Sequence, residues 1–501
     1  MDILLFSMPD SFEHMPAFAI RMPNGALVSL AGNVDRHHRV SVADLILVRD
    51  GVRGVVERLL TDLKPHVVGL SVMTFQRNTA LRLISLIRSL RPEACIVAGG
   101  YDPSMVPESY FATPDASVDF IVRGEGEITF RELVRALEAG TDVDSIAGLT
   151  YRRGTTLRHN PDRPVSSLKD GEIRLPDRAA RVLSGYTLLG RPIDVVETSR
   201  GCTFDCGFCS IVQMRGRNFQ TFDLARVLAD IRDACSRGAR AVFLVDDNIC
   251  LNVPRLEALC RAIVDSRLNR IDYTLQATTS SIANHGASLA PLMKRAGFRY
   301  VFLGIENVLE DDLQFLHARR KNTPRRDGGS DSLAAVRAIE HLHRNSIYVV
   351  GGLIVGNPDD TRESIEANLE FARRYVDWPY IQHPTPYPRT AIAQEFQERG
   401  LVISERPEEY DGTTAVVRTR HLPAEEVEFM RWRAERWMKL HHMPAAIRHS
   451  PLFVLRHGYR MLAHTFRGSS LSSLLGLEDE RESFRRYRDI RRAERGCIND
   501  L

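Results

Sequence analysis

The sequence lacks the features that mark several large classes of protein. Its 501 residues include only 8 cysteines, and the formal net charge is only +3. So few cysteines exclude a disulfide-stapled secreted scaffold, and so small a charge excess gives no reason to expect a nucleic-acid partner. No run of about eighteen apolar residues exists, which argues against a membrane-spanning helix. The first residues resemble a short strand rather than a signal peptide, so we expect a cytoplasmic protein.

Three of the cysteines lie close together in the chain. Cys202, Cys206 and Cys209 have the spacing Cys-x3-Cys-x2-Cys, and the other five cysteines are isolated. A cubane iron–sulfur cluster normally takes four thiolates, so three thiolates leave one iron open to another ligand. Zinc usually takes four ligands in two separated pairs. The spacing therefore favours an iron–sulfur cluster, and zinc with a distant fourth ligand remains the alternative.

The segment Arg200–Cys209 resembles the signature of the radical S-adenosylmethionine (SAM) enzymes. This resemblance implies that the three cysteines hold a [4Fe–4S] cluster whose open iron binds the amino and carboxylate groups of SAM. Reduction of the cluster then cleaves SAM to methionine and a 5′-deoxyadenosyl radical. The resemblance also implies a reducing compartment and an external electron donor of the flavodoxin or ferredoxin type.

Short apolar runs alternate with helical patterns over about the first 150 residues. This alternation predicts an α/β domain of the flavodoxin-like, doubly wound kind, with a parallel sheet wrapped by helices. The predicted strands are Ile3–Ser7, Arg39–Leu47, Val67–Val72, Cys95–Ala98 and Phe120–Val122. The predicted helices are Val52–Leu63, Arg77–Ser89 and Ile128–Ala139.

Polar residues and glycines follow the third, fourth and fifth predicted strands. In a sheet of this kind, ligands bind outside the carboxyl ends of the strands. The order of these loops resembles the cobalamin-binding domain at the front of many radical SAM proteins. The candidate cofactor-binding residues here are Ser71, Thr74, Gly99, Gly100, Gly124 and Glu125.

Two other motifs are missing from this first domain. A nucleotide-binding Rossmann domain would carry Gly-x-Gly-x-x-Gly after its first strand, where Pro9, Asp10 and Ser11 stand instead. The Asp-x-His-x-x-Gly motif of cobalamin mutases, whose histidine binds cobalt from below, is also absent. We therefore expect His14 to be a solvated loop residue. A flavodoxin-like scaffold without a ligand remains an alternative.

A second series of strand and helix patterns begins at Ile193 and predicts a partial β/α barrel that resembles the radical SAM barrel. Such a barrel carries its chemistry at the carboxyl ends of the strands. The predicted strands are Ile193–Thr198, Ala241–Val245, Tyr273–Ala277, Tyr300–Ile305 and Tyr348–Val355. The resemblance implies that the SAM-binding residues are Asp246, Asp247, Gln276, Glu306 and Gly356. Helix N-capping is the alternative role for Asp247 and Glu306.

The end of the chain is predicted to be mainly helical and is rich in basic residues. Between Arg431 and Arg467, arginines alternate with tryptophan, phenylalanine and leucine. A basic amphipathic helix of this composition can lie on an anionic membrane surface. A helix packed over the barrel mouth is the alternative. The predicted divisions are 1–145 for the cobalamin-binding domain, 146–190 for a linker, 191–395 for the radical SAM barrel and 396–501 for a helical C-terminal domain.

The combination of domains resembles the cobalamin-dependent radical SAM methylases, and within them the hopanoid C-3 methylases. The residues that carry this second resemblance are Met22–Leu27 and Tyr380–Pro388. It implies that a radical removes hydrogen from an unactivated carbon, which then takes a methyl group from methylcobalamin. It also implies an apolar, lipid-like small-molecule substrate, with His383 and Tyr387 on the substrate side. Contact of the basic tail with the inner face of the membrane would suit such a substrate.

Two other functions are left open by the sequence. One is an oxidative cyclase of the anaerobic chlorophyll pathway, which uses the same cofactors without methyl transfer. The other is a non-catalytic cobalamin-binding sensor with a structural metal. Methylthiotransferases are disfavoured because they carry three further cysteines before the motif, where this chain has only Cys95.

Overall fold

The computed structural model describes most of the chain. The described residues are 1–11, 16, 18–49, 51–113, 117–169, 171–322, 331–470, 473 and 479–494. His14 and Cys497 lie outside the described residues. The expectation that His14 is a solvated loop residue is therefore not tested.

The N-terminal part of the chain forms a seven-stranded sheet with the order β3-β1-β4-β5-β6-β7-β8. The strands of this part are β1 (Asp2–Ser7), β2 (Ile20–Arg21), β3 (Arg39–Asp44), β4 (Val67–Ser71), β5 (Cys95–Gly99), β6 (Phe120–Val122), β7 (Leu149–Arg153) and β8 (Thr156–His159). The first five strands of the sheet are parallel. Setting aside β2, their order is that of the flavodoxin-like fold.

Helices cover both faces of this sheet. They are α1 (Gly25–Asn33), α2 (Val52–Leu63), α3 (Arg77–Leu90), α4 (Tyr101–Met105) and α5 (Gly126–Ala139). Successive residues of a strand point to opposite faces. Accordingly, Leu4 and Phe6 of β1 pack in one apolar cluster with α2 and α3, whereas Ile3 and Leu5 pack in another with α1 and α5.

The first sheet extends further along the chain than the sequence predicts. Strands β7 and β8 form an antiparallel hairpin that joins the edge strand β6. The sheet therefore ends at His159 and not before the expected linker at residue 146. The hairpin was missed because its outer strand is polar and largely exposed, so it lacks the apolar run that identifies a buried strand.

The second sheet has eight strands in the order β17-β16-β15-β14-β13-β10-β9-β2. The strands introduced here are β9 (Thr187–Leu188), β10 (Arg191–Val196), β11 (Ser199–Arg200), β12 (Gln220–Thr221), β13 (Ala241–Leu244), β14 (Asp272–Thr278), β15 (Phe298–Glu306), β16 (Tyr348–Ile354) and β17 (Trp378–Gln382). Six of them, β10 and β13 to β17, are parallel and follow chain order. This is the expected partial barrel with one more strand, β17, than the sequence predicted.

Five helices pack on the convex side of the partial barrel: α7 (Leu224–Ser236), α8 (Val253–Asp265), α9 (Thr279–Ala296), α12 (Asp331–Arg344) and α13 (Arg362–Tyr375). Four shorter helices lie elsewhere in this part of the chain: α6 (Ile211–Arg215), α10 (Glu310–Phe315), α11 (Arg319–Asn322) and α14 (Ala391–Glu398). In β15, the residues Val301, Leu303 and Ile305 belong to the core shared with the five helices of the convex side. The alternate residues Tyr300 and Phe302 are only half-buried and face the concave side.

The C-terminal part is helical, as predicted. Its helices are α15 (Ala424–His441), α16 (Met443–His449), α17 (Pro451–Thr465) and α18 (Glu480–Glu494). Helix α15 packs beside β17 and closes that edge of the barrel. Ser450, which precedes α17, has its hydroxyl 3.0 Å from that of Tyr300, near the start of β15. Helices α16 and α17 therefore lie at the amino-terminal end of the barrel and not over its mouth.

The predicted fold class is confirmed. Among the described residues, no helix combines the length and the apolar character needed to cross a bilayer. The two sheets are joined by the short strand β2, which comes from the N-terminal part but pairs with β9 of the barrel sheet. The carboxyl ends of both parallel sheets carry the candidate site.

Candidate active site

The three cysteines lie on a loop that follows β10 and β11 at the carboxyl edge of the barrel. All three side chains are half-buried. Burial raises the pKa of Cys206 to about 12 and that of Cys209 to about 11, because a thiolate loses its hydration there. Each of these two thiols is within electrostatic range of the other and of Cys202. The three thiols therefore lie near one another on the loop.

Backbone contacts fix this loop on two sides. On one side, the N–H of Gly201 donates to Asp247 at 2.7 Å. On the other, the N–H of Gly207 donates to the carbonyl of Leu316 at 2.9 Å. Gly201 has φ of +86°, and a Cβ there would lie 2.4 Å from the carbonyl oxygen of Asn218. Only glycine fits this position.

The donor set fits an iron–sulfur cluster. The surroundings of Cys206 and Cys209 disfavour free thiolates, so these thiols need a cation to become stable ligands, and iron provides it. The other cysteines of the described residues lie on different elements: Cys95 on β5, Cys235 on α7, Cys250 after β13 and Cys260 on α8. The loop itself thus offers three ligands and leaves one corner of a cubane for another group.

The two acidic residues after β13 have different surroundings. Asp246 is buried and accepts hydrogen bonds from the backbone N–H of Thr198 at 2.7 Å and from the hydroxyls of Thr198 and Ser199. Burial raises the pKa of Asp246 to about 7. Asp247 instead accepts from Gly201 and from Arg215, the latter at 2.9 Å, and it lines a cavity. Asp246 thus holds the end of β10, and its contact with SAM stays a prediction.

An ion pair lies beside the cysteine loop and was not predicted. Glu306, at the end of β15, pairs with Lys321 of α11. Burial opposes the charge of Lys321, but the Glu306 carboxylate outweighs it and the pKa of Lys321 is raised. The Lys321 ammonium also lies 5.9 Å from the ring centre of Phe208, which lies between Cys206 and Cys209 in the sequence. Glu306 has φ of +63°, so its backbone is held in a conformation that few residues other than glycine adopt.

A cavity of about 380 Å³ lies between the two sheets. From the first domain it is lined by Ser71, Gly99, Gly100, Gly124 and Glu125, and from the barrel by Met214, Arg215, Val245 and Asp247. Five of the six cofactor-binding residues predicted in the first domain are therefore brought together. The sixth, Thr74, is buried in a short 3₁₀ turn after β4 and does not line the cavity.

The walls of this cavity fit part of a large cofactor. Gly100 has φ of +100°, and a Cβ there would lie 2.9 Å from the carbonyl oxygen of Val72, so only glycine fits this position in the wall. Among the described residues, nothing hydrogen-bonds to the buried Oε1 of Glu125. That atom lies 3.6 Å from Arg200. An unsatisfied buried acceptor beside a glycine-lined wall suits a bound ligand with polar groups.

A buried ion pair ties the first domain to the cysteine loop. Arg200, two residues before Cys202, donates to Glu127 of α5 at 2.6 Å and to Glu197 at 2.9 Å. Ser29 of α1 donates to the same Glu127 carboxylate at 2.7 Å. Burial alone would raise the pKa of Glu127, but the charge and hydrogen bonds of Arg200 outweigh it and the pKa is about 2. Sequence reasoning missed this pair because the two residues are 73 positions apart.

The remaining candidates lie around the barrel mouth. Gln276 is exposed on the concave side of β14, and Gly356 follows β16 with its N–H donating to Asp360 at 2.7 Å. His383 is buried, with Nδ1 3.1 Å from the carbonyl of Val355 and Nε2 3.2 Å from Nε of Arg431. Burial first, and then the charge of Arg431, lowers the pKa of His383 to about 3, so the ring is neutral.

Tyr387 donates its hydroxyl hydrogen to the carbonyl of Tyr410 at 3.1 Å. Its phenol is thus held by the segment that leads into the C-terminal domain. The substrate roles expected of His383 and Tyr387 are not tested by these contacts and stay predictions.

Comparison with known proteins identifies the two domains. Residues 22–134 match the B12 binding domain, and residues 196–372 match the radical SAM superfamily. The chain thus combines the two domains of the cobalamin-dependent radical SAM methylases, which it resembles. The predicted cofactors of this methylase, a [4Fe–4S] cluster, SAM and cobalamin, are confirmed.

The methylase is similar to several curated proteins. It is 27% identical to an uncharacterized methyltransferase of Pyrococcus horikoshii, over 85% of this chain and 90% of that protein. It is 26% identical to the hopanoid C-3 methylase of Methylococcus capsulatus, over 66% of this chain and 61% of that protein. An anaerobic magnesium-protoporphyrin IX monomethyl ester cyclase of Synechocystis is 24% identical over 88% of this chain and 84% of its own length.

Solved structures share the fold of this methylase. The radical SAM methyltransferase TsrM of Kitasatospora setae, with cobalamin and a [4Fe–4S] cluster bound, aligns with a TM-score of 0.65 and 19% identity over 82% of this chain and 80% of its own. The cobalamin-dependent SAM radical enzyme OxsB aligns with a TM-score of 0.67 and 16% identity over 98% of this chain and 70% of its own. At these identities the likeness concerns the fold.

Proposed function

We propose that this methyltransferase adds a methyl group to an unactivated carbon of an apolar substrate, and that the substrate is a hopanoid methylated at C-3. The similarity to the hopanoid C-3 methylase over two thirds of the chain supports the substrate class. The observation that carries the apolar character of the substrate is the aromatic concave face of the barrel.

On that face, Phe302 of β15 and Tyr380 of β17 are half-buried, with ring centres 5.2 Å apart and rings edge to face. Gln276 is the exposed polar residue of the neighbouring strand β14. Aromatic walls of this kind bury a large, flat, apolar molecule and offer few polar groups that would need hydrogen bonds. A charged or strongly polar substrate would be poorly solvated there.

When bound, the three cofactors would supply a hydrogen acceptor and a methyl donor for replacing a C–H bond by a C–CH3 bond. The exchange would consume two molecules of SAM and two electrons from an external donor, and would release methionine, 5′-deoxyadenosine and S-adenosylhomocysteine. The chain supplies the geometry. Asp247 holds the cysteine loop through Gly201, and Arg200 ties that loop to the first domain through Glu127. Fixed positions on both sides of the substrate are what a two-sided exchange of hydrogen for methyl requires.

We propose ligand contacts for the residues that lie at the two edges. The residues proposed to contact SAM are Asp247, Gln276, Glu306 and Gly356, and those proposed to contact cobalamin are Ser71, Gly99, Gly100, Gly124 and Glu125. Thr74 and Asp246 are buried and do not line the cavity, and their contacts with the cofactors stay predictions. His383 and Tyr387 are proposed to border the substrate.

The test uses the reconstituted, oxygen-free protein with SAM, a reductant and a detergent-solubilised hopanoid. We expect 5′-deoxyadenosine, S-adenosylhomocysteine and a hopanoid heavier by one CH2 unit. A cyclase would yield a product without S-adenosylhomocysteine, and a sensor would cleave no SAM. Lipid extracts of cells with and without the gene provide the second measurement. If another apolar metabolite loses the CH2 unit while hopanoids are unchanged, the hopanoid proposal is wrong and the reaction class stands.

A further inference from the structure

Helix α17 exposes a continuous apolar face. Leu452, Leu455 and Tyr459 are 80%, 85% and 85% exposed, and Leu462 is 38% exposed. Their spacing of three, four and three residues places all four on one side of the helix. Single exposed apolar residues are common on protein surfaces, but a full helical stripe this exposed is not.

The opposite side of α17 is packed against the protein. Phe453 is buried and lies near Gly190, next to β9. The His457 ring stacks on Phe18 with ring centres 5.7 Å apart. The orientation of the helix is therefore fixed by its inner side, and the apolar face is presented outward by a docked helix.

The segment that carries this face has charges of one sign. No aspartate or glutamate occurs from residue 436 to residue 477. Arg448, Arg456 and Arg460 are exposed at the same end of the molecule. In helical projection, Arg456 and Arg460 flank one side of the stripe that Leu452, Leu455 and Tyr459 form. An apolar centre with basic flanks complements an anionic lipid surface, which offers acyl chains below and phosphates above.

We propose that the outer face of α17 docks this enzyme on an anionic lipid bilayer, lying in the interface without crossing it. The proposal names a partner for the proposed function and rests on it for the need to reach an apolar substrate. Ser450, just before α17, contacts Tyr300 near the start of β15, so the docked helix is held at the amino-terminal end of the barrel.

The experiment measures binding of the full-length, reconstituted protein to sedimented vesicles in the absence of substrate. We expect binding to vesicles of phosphatidylglycerol and phosphatidylcholine, weaker binding to phosphatidylcholine alone, and a decrease as salt screens the basic flanks. Equal binding at low and high salt to both kinds of vesicle would contradict the role given to the arginines, and no binding to either would overturn the proposal.

Matched variants locate the contact. The double substitution Leu452→Ser and Leu455→Ser should weaken vesicle binding by about tenfold or more, because it removes exposed apolar area. The control is Ile403→Ser, at a position 55% exposed and away from α17, which should bind as the unsubstituted protein does. Equal loss in the control, or no loss in the double variant, rejects this face as the contact.

Two further outcomes separate this proposal from others. A protein that elutes as a dimer, and becomes a monomer when Leu452 and Leu455 are replaced, would show that a second copy covers the face and that the proposal is wrong. Methylation of a detergent-solubilised hopanoid without vesicle binding would reject the docking and leave the proposed function standing. Vesicle binding without methylation of any hopanoid would support the docking and reject the hopanoid as substrate.

Discussion

The junction of the two sheets buries charged side chains, whereas the outer face of α17 exposes apolar side chains to water. At the junction, Arg200 and Glu127 are both buried and paired at 2.6 Å. On α17, Leu455 and Tyr459 are 85% exposed. Charges are thus removed from water in one region, and apolar groups are left in water in the other.

The difference indicates what each region does. A buried ion pair adds little net stability, because desolvation offsets the attraction, but it fixes one arrangement of the groups around it. That suits a junction where the cysteine loop and the glycine-lined cavity must keep a fixed separation. An exposed apolar stripe adds nothing to folding and costs solubility, so it suits a surface with a partner.

Replacement of Cys206 should have the largest effect and should be confined to the junction. With Cys206→Ala, we expect iron in the reconstituted protein to fall from about four atoms per chain to below about one, with loss of SAM cleavage, since two thiolates do not hold a cubane. Iron and sulfide analysis and the visible absorption spectrum measure this. The controls are Cys235→Ala, on α7, and Leu455→Ser, on α17, which should both keep the cluster. Zinc in place of iron in the unsubstituted protein would refute the cluster assignment.

The Glu127→Gln variant tests the buried pair at the junction. It leaves the Arg200 charge with less compensation, so we expect a loss of about 3 kcal/mol in the free energy of unfolding. The measurement is chemical denaturation of the apoprotein, together with the affinity of the protein for cobalamin. The control Glu172→Gln replaces a largely exposed carboxylate 3.6 Å from Arg131 and should change stability by less than about 0.5 kcal/mol.

The pH dependence of this variant has a defined sign. The pKa of Glu127 is about 2 in the folded protein and 4.5 in the reference state. Its contribution is therefore present above pH 4.5 and is lost as pH falls toward 2, over which range the unsubstituted protein should approach the stability of the variant. A constant stability difference across that range would mean that the pair does not act through its charge.

His383 should give an effect that appears only below neutral pH. Its pKa is about 3 in the folded protein and 6.5 in the reference state, so the unfolded chain binds one more proton between these values. Stability is lost as pH falls below 6.5, by about 1.4 kcal/mol per pH unit. The variant His383→Gln should lack this part of the slope, whereas His66→Gln, at an exposed position, should keep it. An unchanged slope in His383→Gln would show that the ring is not buried in its neutral form.

The smallest effect on folding is expected on α17. The variant Leu455→Ser removes a side chain that is already in water, so its unfolding free energy should stay within about 0.5 kcal/mol of the unsubstituted protein. Thermal denaturation in the absence of lipid measures this. A loss of more than about 1.5 kcal/mol would show that the leucine is packed in the protein, and the contrast between the two regions would disappear.

Local sequence patterns predicted many of the helices and strands, because an element that buries one face has apolar residues at regular intervals. The helix Val52–Leu63 and the strand Phe120–Val122 have the predicted bounds. Strand β17 was missed because it begins with Trp378 and Pro379, and a proline within a run argues against a strand. Helix α1 was not predicted, and its start follows Pro23, Asn24 and Gly25, residue types that favour a turn.

Residues distant in the chain carry the contacts that could not be predicted. Lys321 beside the cysteines and Arg431 against His383 lie on helices whose sequences give no sign of either partner. Asp246 and Asp247 are adjacent and chemically identical, yet only Asp247 reaches the cavity, because successive residues leaving a strand point in different directions.

The spacing of Cys202, Cys206 and Cys209 by itself determined the chemistry, since three thiolates on one loop set the cluster and its open corner. Strand periodicity likewise determined the two α/β domains. Only the tertiary structure decided that Glu127 holds Arg200, that five loop residues meet at one cavity, and that α17 turns its leucines to the solvent. Those outcomes depend on which surfaces meet when the sheets pack. A sequence pattern shows which positions of an element are buried, but not which other element buries them.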